Sequence, residues 1–257
     1  MKELLTIIFT FLIAKTFACS CITVSFADQY QRSDFIAVAK IVSIDAGEAN
    51  TYYSDIEIDI ITLYKGNPVT KLKMENPLKS GCGVNAPVNS VWLIYAGKTA
   101  DGSLAFNYCS APIRLDQVEA AIYDDKYKIR HQEYVSRTFK LLNFLKEANL
   151  SLNTETTVWL IFNKKMFDSL KGYEEPAYNF SAFELLFNTG SELEEIKVLK
   201  EFNNKILAKQ IKNGLTQATI KEYGKSPIEK KERRFLVLLF FYPPEKEYQS
   251  FVSYYFL

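Results

Sequence analysis

Residues 91–106 have the sequence Val91-Trp92-Leu93-Ile94-Tyr95-Ala96-Gly97-Lys98-Thr99-Ala100-Asp101-Gly102-Ser103-Leu104-Ala105-Phe106. The first six residues are an apolar run of the kind that forms strands. Asp101-Gly102 is a dipeptide typical of hairpin turns, and the segment from Leu104 to Tyr108 returns from it. The stretch therefore predicts a β-hairpin.

Three further segments upstream of this hairpin also have strand patterns. Phe35 to Val42 is a β-prone run, and Ile56 to Ile60 alternates apolar and acidic residues with period two. Gly66-Asn67-Pro68 marks a turn before a short strand at Leu72-Lys73-Met74. With the hairpin, these segments give five short strands, and residues 19–115 predict a small barrel or sandwich.

The second half of the chain has a mixed pattern. Residues 116–149 contain neither Gly nor Pro, and their apolar residues recur at three- and four-residue multiples, which predicts a long helix with Asp116 as its N-cap. We therefore expect a mainly β first half followed by an α+β region at 116–257. The remaining elements predicted there are a strand at 156–162, a helix at about 192–212 and strands at 235–242 and 251–257.

The N-terminus has the pattern of an export signal. Met1-Lys2 is basic, residues 4–14 are almost wholly apolar, and Thr16-Phe17-Ala18 supplies small residues at the two positions that a signal peptidase recognises. We interpret residues 1–18 as a signal peptide, so that the mature chain begins at Cys19. The protein is then secreted, or lies in the periplasm or at the cell surface of a bacterium.

Two alternatives to cleavage after Ala18 remain open. The apolar run would be a membrane anchor if it were retained, although it is shorter than the roughly 20 residues that span a bilayer. In a bacterial lipoprotein, Cys19 would instead be acylated. Phe17 fits such a processing signal poorly, and acylation would leave an odd number of cysteines.

Composition limits the class of partner. The chain is 48% hydrophobic and 24% charged, as globular proteins are, and its formal net charge is +1. There is no large field to attract nucleic acid, and no second apolar stretch long enough to cross a membrane. We expect no cofactor.

The four cysteines form an even set in an exported chain, which favours two disulfides. The spacing leaves three pairings open. A structural zinc site is the competing hypothesis, because Cys-x-Cys occurs in metal clusters. Cys82 and Cys109 have no neighbouring cysteine, however, and the only histidine, His131, lies outside the segment.

Several short blocks of sequence stand at and between these cysteines. They are Cys19-Ser20-Cys21, Ser33-Asp34 followed by Val38-Ala39-Lys40-Ile41-Val42, Cys82-Gly83, the stretch from Ala96 to Leu104, and Cys109-Ser110. Together these blocks resemble the netrin-like domain of tissue inhibitors of metalloproteinases (TIMPs). The resemblance covers about residues 19–115 and implies a five-stranded OB-type barrel with the pairs Cys19–Cys82 and Cys21–Cys109.

The resemblance also implies a mechanism. In the family, the α-amine and carbonyl of the first cysteine chelate the catalytic zinc of a metalloproteinase and displace its water. Carried over, Cys19 is the chelator, Ser20 points into the specificity pocket, and Cys21 and Ile22 lie along the substrate groove. The implied partner is a zinc metalloproteinase.

The chain departs from the family in three respects. Gln31 stands where animal TIMPs have a third cysteine, and Ile22-Thr23-Val24-Ser25-Phe26 replaces the Pro-rich stretch that usually follows Cys-x-Cys. Residues 116–257 replace the cysteine-rich second domain. Because netrin-like barrels also serve as binding modules, the alternative function is that of a non-inhibitory module for another extracytoplasmic protein.

An enzyme is the least favoured hypothesis. One histidine, His131, on a polar helix face argues against Ser-His-Asp chemistry, and bridged cysteines leave no thiol nucleophile. The acidic pairs Glu174-Glu175 and Glu194-Glu195 are of the kind usually found at the surface. Any unrecognised enzymatic site would lie in the second half of the chain.

Overall fold

In the computed structural model, residues 19–22, 25–45, 51–116, 125–150, 158–222 and 231–254 are described. The predicted signal peptide lies outside these residues. The chain forms two compact units, and of the described residues the first unit contains 19–22, 38–45, 51–62 and 68–116. The second unit contains the remaining described residues, including 25–37 and 63–67. No helix within the described ranges is long and apolar enough to cross a membrane.

The first half of the chain forms a closed β-barrel. Its sheet has the order β1-β2-β3-β5-β4-β6, and a further pairing of β1 with β4 closes it, so that the five main strands leave no free edge. The barrel is mixed, because β3 and β5 are parallel whereas β2–β3 and β4–β5 are antiparallel. The strands are β1 (Phe35–Asp45), β2 (Tyr53–Lys65), β3 (Lys71–Glu75), β4 (Val91–Lys98), β5 (Leu104–Phe106) and β6 (Ile113–Arg114).

Strand patterning explains why these segments form a barrel. In β2, Ile56 and Ile58 are buried while the intervening Glu57 is exposed, which is the period-two pattern seen in the sequence. In β4, the residues from Trp92 to Ala96 are all buried. The predicted five-stranded barrel and its β4–β5 hairpin are therefore confirmed, and the two-residue strand β6 is an addition to the prediction.

The second unit is α+β. A two-stranded sheet pairs β7 with β10, and a four-stranded antiparallel sheet has the order β12-β11-β8-β9. Its elements are α1 (Phe26–Arg32), α2 (Asp125–Ala148), β7 (Val158–Ile161), α3 (Lys164–Asp168), β8 (Phe180–Phe187), β9 (Leu193–Lys200), α4 (Lys205–Leu215), β10 (Thr219–Glu222), β11 (Arg233–Tyr242) and β12 (Phe251–Ser253).

The core of the second unit lies between its larger sheet and α4. Alternate residues of β8 and of β11 are fully or almost fully buried in one apolar cluster with residues spaced four apart on α4. The cluster includes Phe183, Leu185, Phe187, Val237, Leu239, Phe241, Leu207, Ile211 and Leu215.

The predicted helix at 192–212 is wrong. The segment contains β9, whose Ile196 and Val198 lie opposite Leu185 and Phe183 of β8, and only its end belongs to α4. Asn204 begins that helix, since its side chain accepts hydrogen bonds from the backbone N–H groups of residues 206 and 207.

The long helix predicted for 116–149 is present over the described part, Asp125–Ala148. Residues 117–124 lie outside the described residues. The carboxylate of Asp116 accepts hydrogen bonds from the backbone N–H of Val91, at 3.0 Å, and from the Arg114 side chain. It therefore connects the first residue of β4 to the last residue of β6, the two strands that pair here.

Candidate functional site

Two disulfides hold the N-terminal segment Cys19–Ile22. Cys19 is bonded to Cys82 and Cys21 to Cys109, with Cα–Cα distances of 4.9 and 5.2 Å. This is the pairing that the TIMP resemblance implies. Cys82 lies in the loop between β3 and β4, and Cys109 lies in the turn after β5. The segment is thereby tied to two separate loops of the first unit.

The two disulfides form one cluster. The sulfur of Cys19 lies 3.5 Å from that of Cys21 and 3.5 Å from that of Cys109, and the sulfurs of Cys82 and Cys109 are 3.7 Å apart. All four sulfurs lie within 4.8 Å of one another. Residues remote in the sequence are therefore in direct contact at one point of the surface.

The Cys82 loop has close backbone packing. A Cβ at Gly83 would collide with the backbone of Asn76 and Pro77, so only glycine fits after Cys82. The Ser80 hydroxyl accepts a hydrogen bond from the backbone N–H of Cys82 at 3.1 Å. The Cys-Gly block of the sequence thus has a steric basis.

The Cys109 turn is a short 3₁₀ helix, Tyr108–Ser110, capped by Asn107. The side chain of Asn107 accepts from the backbone N–H of Ser110 at 3.1 Å, and the hydroxyl of Ser110 accepts from the backbone N–H of Asn107 at 3.1 Å. The backbone N–H of Tyr108 also donates to the carbonyl of Cys82 at 2.8 Å. The turn and the Cys82 loop are therefore joined directly.

Glu75 connects both loops to the barrel, and sequence reasoning missed it. Its side chain is 2% exposed and accepts hydrogen bonds from the Tyr52 hydroxyl at 2.7 Å and the Asn107 amide at 2.8 Å. Burial alone would raise the pKa of Glu75, but hydrogen bonds from Ser80, Tyr52 and Asn107 outweigh it and lower the pKa below its usual value. The buried carboxylate therefore positions both cysteine loops.

The block from Ala96 to Leu104 forms the β4–β5 turn. The Asp101 carboxylate accepts from the Thr99 hydroxyl, from the backbone N–H of Ser103 at 3.0 Å and from the Lys73 ammonium at 3.0 Å. The Thr99 hydroxyl first, then Ser103 and Lys73, hold the pKa of Asp101 well below its usual range. Gly102 adopts a left-handed φ of +82°. The fixed spacing in this block thus has a structural origin in the hairpin.

The side chains predicted to face a protease lie at the surface. Ser20 and Cys21 are exposed, Cys19 is half-buried, and Ile22 is 73% exposed. The two cysteine loops also carry exposed apolar side chains, because Leu78 is 88% exposed and Tyr108 is 66% exposed. Each segment that contributes a cysteine therefore presents a large apolar side chain to solvent.

Gln31 is the residue that the TIMP resemblance places where animal TIMPs have a third cysteine. It lies in α1, is 7% exposed, and donates from its side-chain amide to the carbonyl of Ala27 at 3.3 Å. The side chain is accommodated as a buried polar residue whose amide is hydrogen-bonded within its own helix.

The residues considered as candidates for catalysis lie on different elements of the second unit. His131 is half-buried on α2. Glu175 accepts from the backbone N–H groups of Asn203 and Asn204, at 3.0 and 2.8 Å, immediately before α4. Glu194 and Glu195 lie exposed on β9 rather than on the predicted helix. The described contacts give Glu175 a structural role.

No model of a known protein family matches this chain, and no curated protein is significantly similar to it.

Proposed function

We propose that the protein is an exported TIMP-like inhibitor of a zinc metalloproteinase whose inhibitory end is Cys19, exposed by cleavage after Ala18. The observation that supports this most is the double disulfide clamp. Cys19 and Cys21 are both bonded to barrel loops, while Ser20 between them is exposed. A clamped end loses less conformational entropy on binding than a frayed one.

The proposed chemistry is bidentate chelation. The free α-amine and the carbonyl oxygen of Cys19 bind the protease zinc and displace the water that would attack a peptide. A free α-amine has a pKa near 8, so zinc must displace a proton at neutral pH. Inhibition therefore becomes stronger as the pH rises toward 8. In this proposal the protein is not itself an enzyme.

The surrounding surface supplies the protein–protein contacts. Ser20 enters the specificity pocket beside the zinc, and Cys21 and Ile22 lie along the substrate groove. The exposed side chains of Leu78 and Tyr108 add apolar area from the two loops that hold the cysteines. Tyrosine is among the residue types that most often carry binding energy at the centre of an interface, so Tyr108 is the stronger contributor and Leu78 adds apolar area beside it.

A second candidate is a non-inhibitory module that binds another extracytoplasmic protein. Two observations favour it. Gln31 is buried where the family has its third cysteine, and the second unit is an α+β structure with no cysteine in its sequence. In this alternative the same exposed surface binds its partner without contact between the amine and a metal.

The first experiment determines the N-terminus. N-terminal sequencing and intact mass of the exported protein are expected to give a chain beginning at Cys19, four hydrogens lighter than the fully reduced form. Residues retained ahead of Cys19, or the added mass of an acyl group, would exclude amine chelation and leave the binding module.

The second experiment tests inhibition. The mature protein is titrated against a panel of zinc proteases beside a form carrying one additional N-terminal Ala, which moves the amine away from the clamp. We expect inhibition by the first form and a large loss with the second. Equal inhibition by both forms would exclude the chelation mechanism, and no inhibition by either would favour the binding module.

A further inference from the structure

We propose that the four cysteines form a zinc site when both disulfides are reduced, with the sulfurs of Cys19, Cys21, Cys82 and Cys109 as its four ligands. The inference does not depend on protease inhibition. It depends on the position of the sulfurs, which all lie within 4.8 Å of one another at one place on the first unit.

The distances are close to those of a zinc–thiolate centre. Zinc bonds cysteine sulfur at about 2.3 Å, so four sulfurs arranged tetrahedrally around it lie about 3.8 Å apart. Three contacts between sulfurs of different disulfides are already 3.5, 3.5 and 3.7 Å. The fourth such pair, Cys21 and Cys82, lies within 4.8 Å, and the two bonded pairs have to separate. Rotation about the side-chain bonds of the cysteines supplies such movements.

The structure answers the objection raised by the sequence. Cys82 and Cys109 have no neighbouring cysteine along the chain, which argued against zinc. In the fold they lie in two loops joined by the hydrogen bond from the Tyr108 N–H to the Cys82 carbonyl, and Glu75 positions both loops through Ser80 and Asn107. These hydrogen bonds do not involve the sulfur atoms, so they favour the return of the two loops to this arrangement when zinc binds the reduced chain.

The chemistry balances with a dithiol as reductant. Two dithiol molecules supply four electrons and four protons, both protein disulfides become four thiols, and each dithiol becomes a disulfide. One Zn²⁺ then binds the four thiolates and releases four protons. Cys21 is exposed and the other three cysteines are half-buried, so reductant and metal both have access. The reduced chain would thereby keep the segment Cys19–Ile22 attached to the barrel without oxidation.

The test uses the mature chain, reduced without oxygen by a phosphine that does not bind the metal, and Co²⁺ as a spectroscopic probe. We expect one Co²⁺ per chain, with the visible and near-ultraviolet absorption bands of tetrahedral thiolate coordination, and displacement of the cobalt by one equivalent of Zn²⁺. The oxidised protein should give no such bands. A reduced chain that gives none, or that binds less than half an equivalent, would overturn the proposal.

Substitutions separate a folded site from chelation by loose thiols. Cys109→Ser should remove the four-sulfur spectrum, whereas Asn85→Ser, an exposed position in the same loop as Cys82, should keep it. The near-ultraviolet circular dichroism of the reduced protein should return to that of the oxidised form when Zn²⁺ is added. Cobalt affinity that is unchanged in strong urea would show that the unfolded chain binds the metal, and would also overturn the proposal.

Discussion

The segment Cys19–Ile22 and the helix α4 are both surface elements, but different forces hold them in place. Helix α4 buries Leu207, Ile211 and Leu215 completely against a sheet. The N-terminal segment has no strand pairing, is exposed at three of its four residues, and is fixed by two disulfides. An amphipathic helix is stabilised by the apolar area that it buries, whereas a segment of four residues has too little to bury and needs covalent bonds.

The same contrast separates the two units in their dependence on oxidation. All four cysteines belong to the first unit, and the second unit has none. Reductants therefore have no disulfide to break in the apolar cluster around Phe183 and Leu239. We expect reductants to act on the cysteine loops, and core substitutions to act on the second unit.

The largest effect is expected from replacing all four cysteines by serine in the mature chain. The bonded cysteines are 63 and 88 residues apart in sequence. For loops of that length the chain-entropy model gives about 4 kcal/mol of stabilisation per disulfide. Guanidinium unfolding should show this loss for the first unit.

Hydrogen exchange measured on peptides should locate that effect. Peptides from 76–90 and 104–116 should lose protection in the cysteine-free variant, while peptides from β8 and β11 should keep it. An equal loss of protection in both units, or no loss in either, would contradict the conclusion that only the first unit depends on the disulfides.

The next largest effect is expected from Leu207→Ala in α4. Leu207 is fully buried in the core of the second unit, so its truncation should cost about 2–5 kcal/mol. Ile206 is the matched control, because it is the preceding residue on the same helix and is 66% exposed. Ile206→Ala should change the free energy of unfolding by less than about 0.5 kcal/mol. Similar losses for the two variants, in urea unfolding, would show that α4 is not held by its buried face.

A smaller effect is expected from Gly83→Ala beside Cys82. The added methyl group meets the backbone of Pro77, which cannot rotate away as a side chain would, so we expect a loss of about 1–3 kcal/mol. Gly102→Ala is the control, since no atom lies within 4 Å of its added Cβ and only its left-handed φ opposes the change. Thermal unfolding should rank Gly83→Ala as the more destabilising variant.

Local patterns predicted the barrel strands well. The β4–β5 hairpin depends on an apolar run, the Asp101-Gly102 turn and a short return strand, and all three signals lie within 16 residues of sequence. The helix predicted at 192–212 was wrong because Ile196, Leu199 and Phe202 recur every three residues, as on a helix, and this spacing masked the period-two pair Ile196 and Val198. Pairing with β8, which lies before it in the chain, determined the strand.

The sequence predicted only those parts of the candidate site that lie in the blocks resembling TIMPs. The TIMP resemblance implied the cysteine pairs, but no pattern indicated that the four sulfurs would form one cluster. Glu75 had no signal either, because one acidic residue at a strand end is usually solvated. Its hydrogen bonds come from Tyr52 and Asn107, which are 23 and 32 residues away in sequence.

The smallest of the four effects, and the most specific to the cysteine loops, is expected from Glu75→Gln. Glutamine keeps the shape of the side chain but replaces one acceptor oxygen by an NH₂ donor, so its single oxygen no longer accepts from the Tyr52 hydroxyl and the Asn107 amide at two separate atoms. At pH 7 we expect a loss of about 1–2 kcal/mol.

The loss should also depend on pH in a definite direction. The pKa of Glu75 in the folded protein lies below its ordinary value of 4.5, so the carboxylate stabilises the fold above that pH. This contribution is lost as the pH falls from 4.5 through the lower pKa of the folded state. The difference in unfolding free energy between wild type and Glu75→Gln, measured by urea titration, should therefore be smaller at pH 3 than at pH 7. If the difference is the same at pH 7 and at pH 3, Glu75 acts through packing. The proposal that its charged carboxylate joins the two cysteine loops through hydrogen bonds would then have to be abandoned.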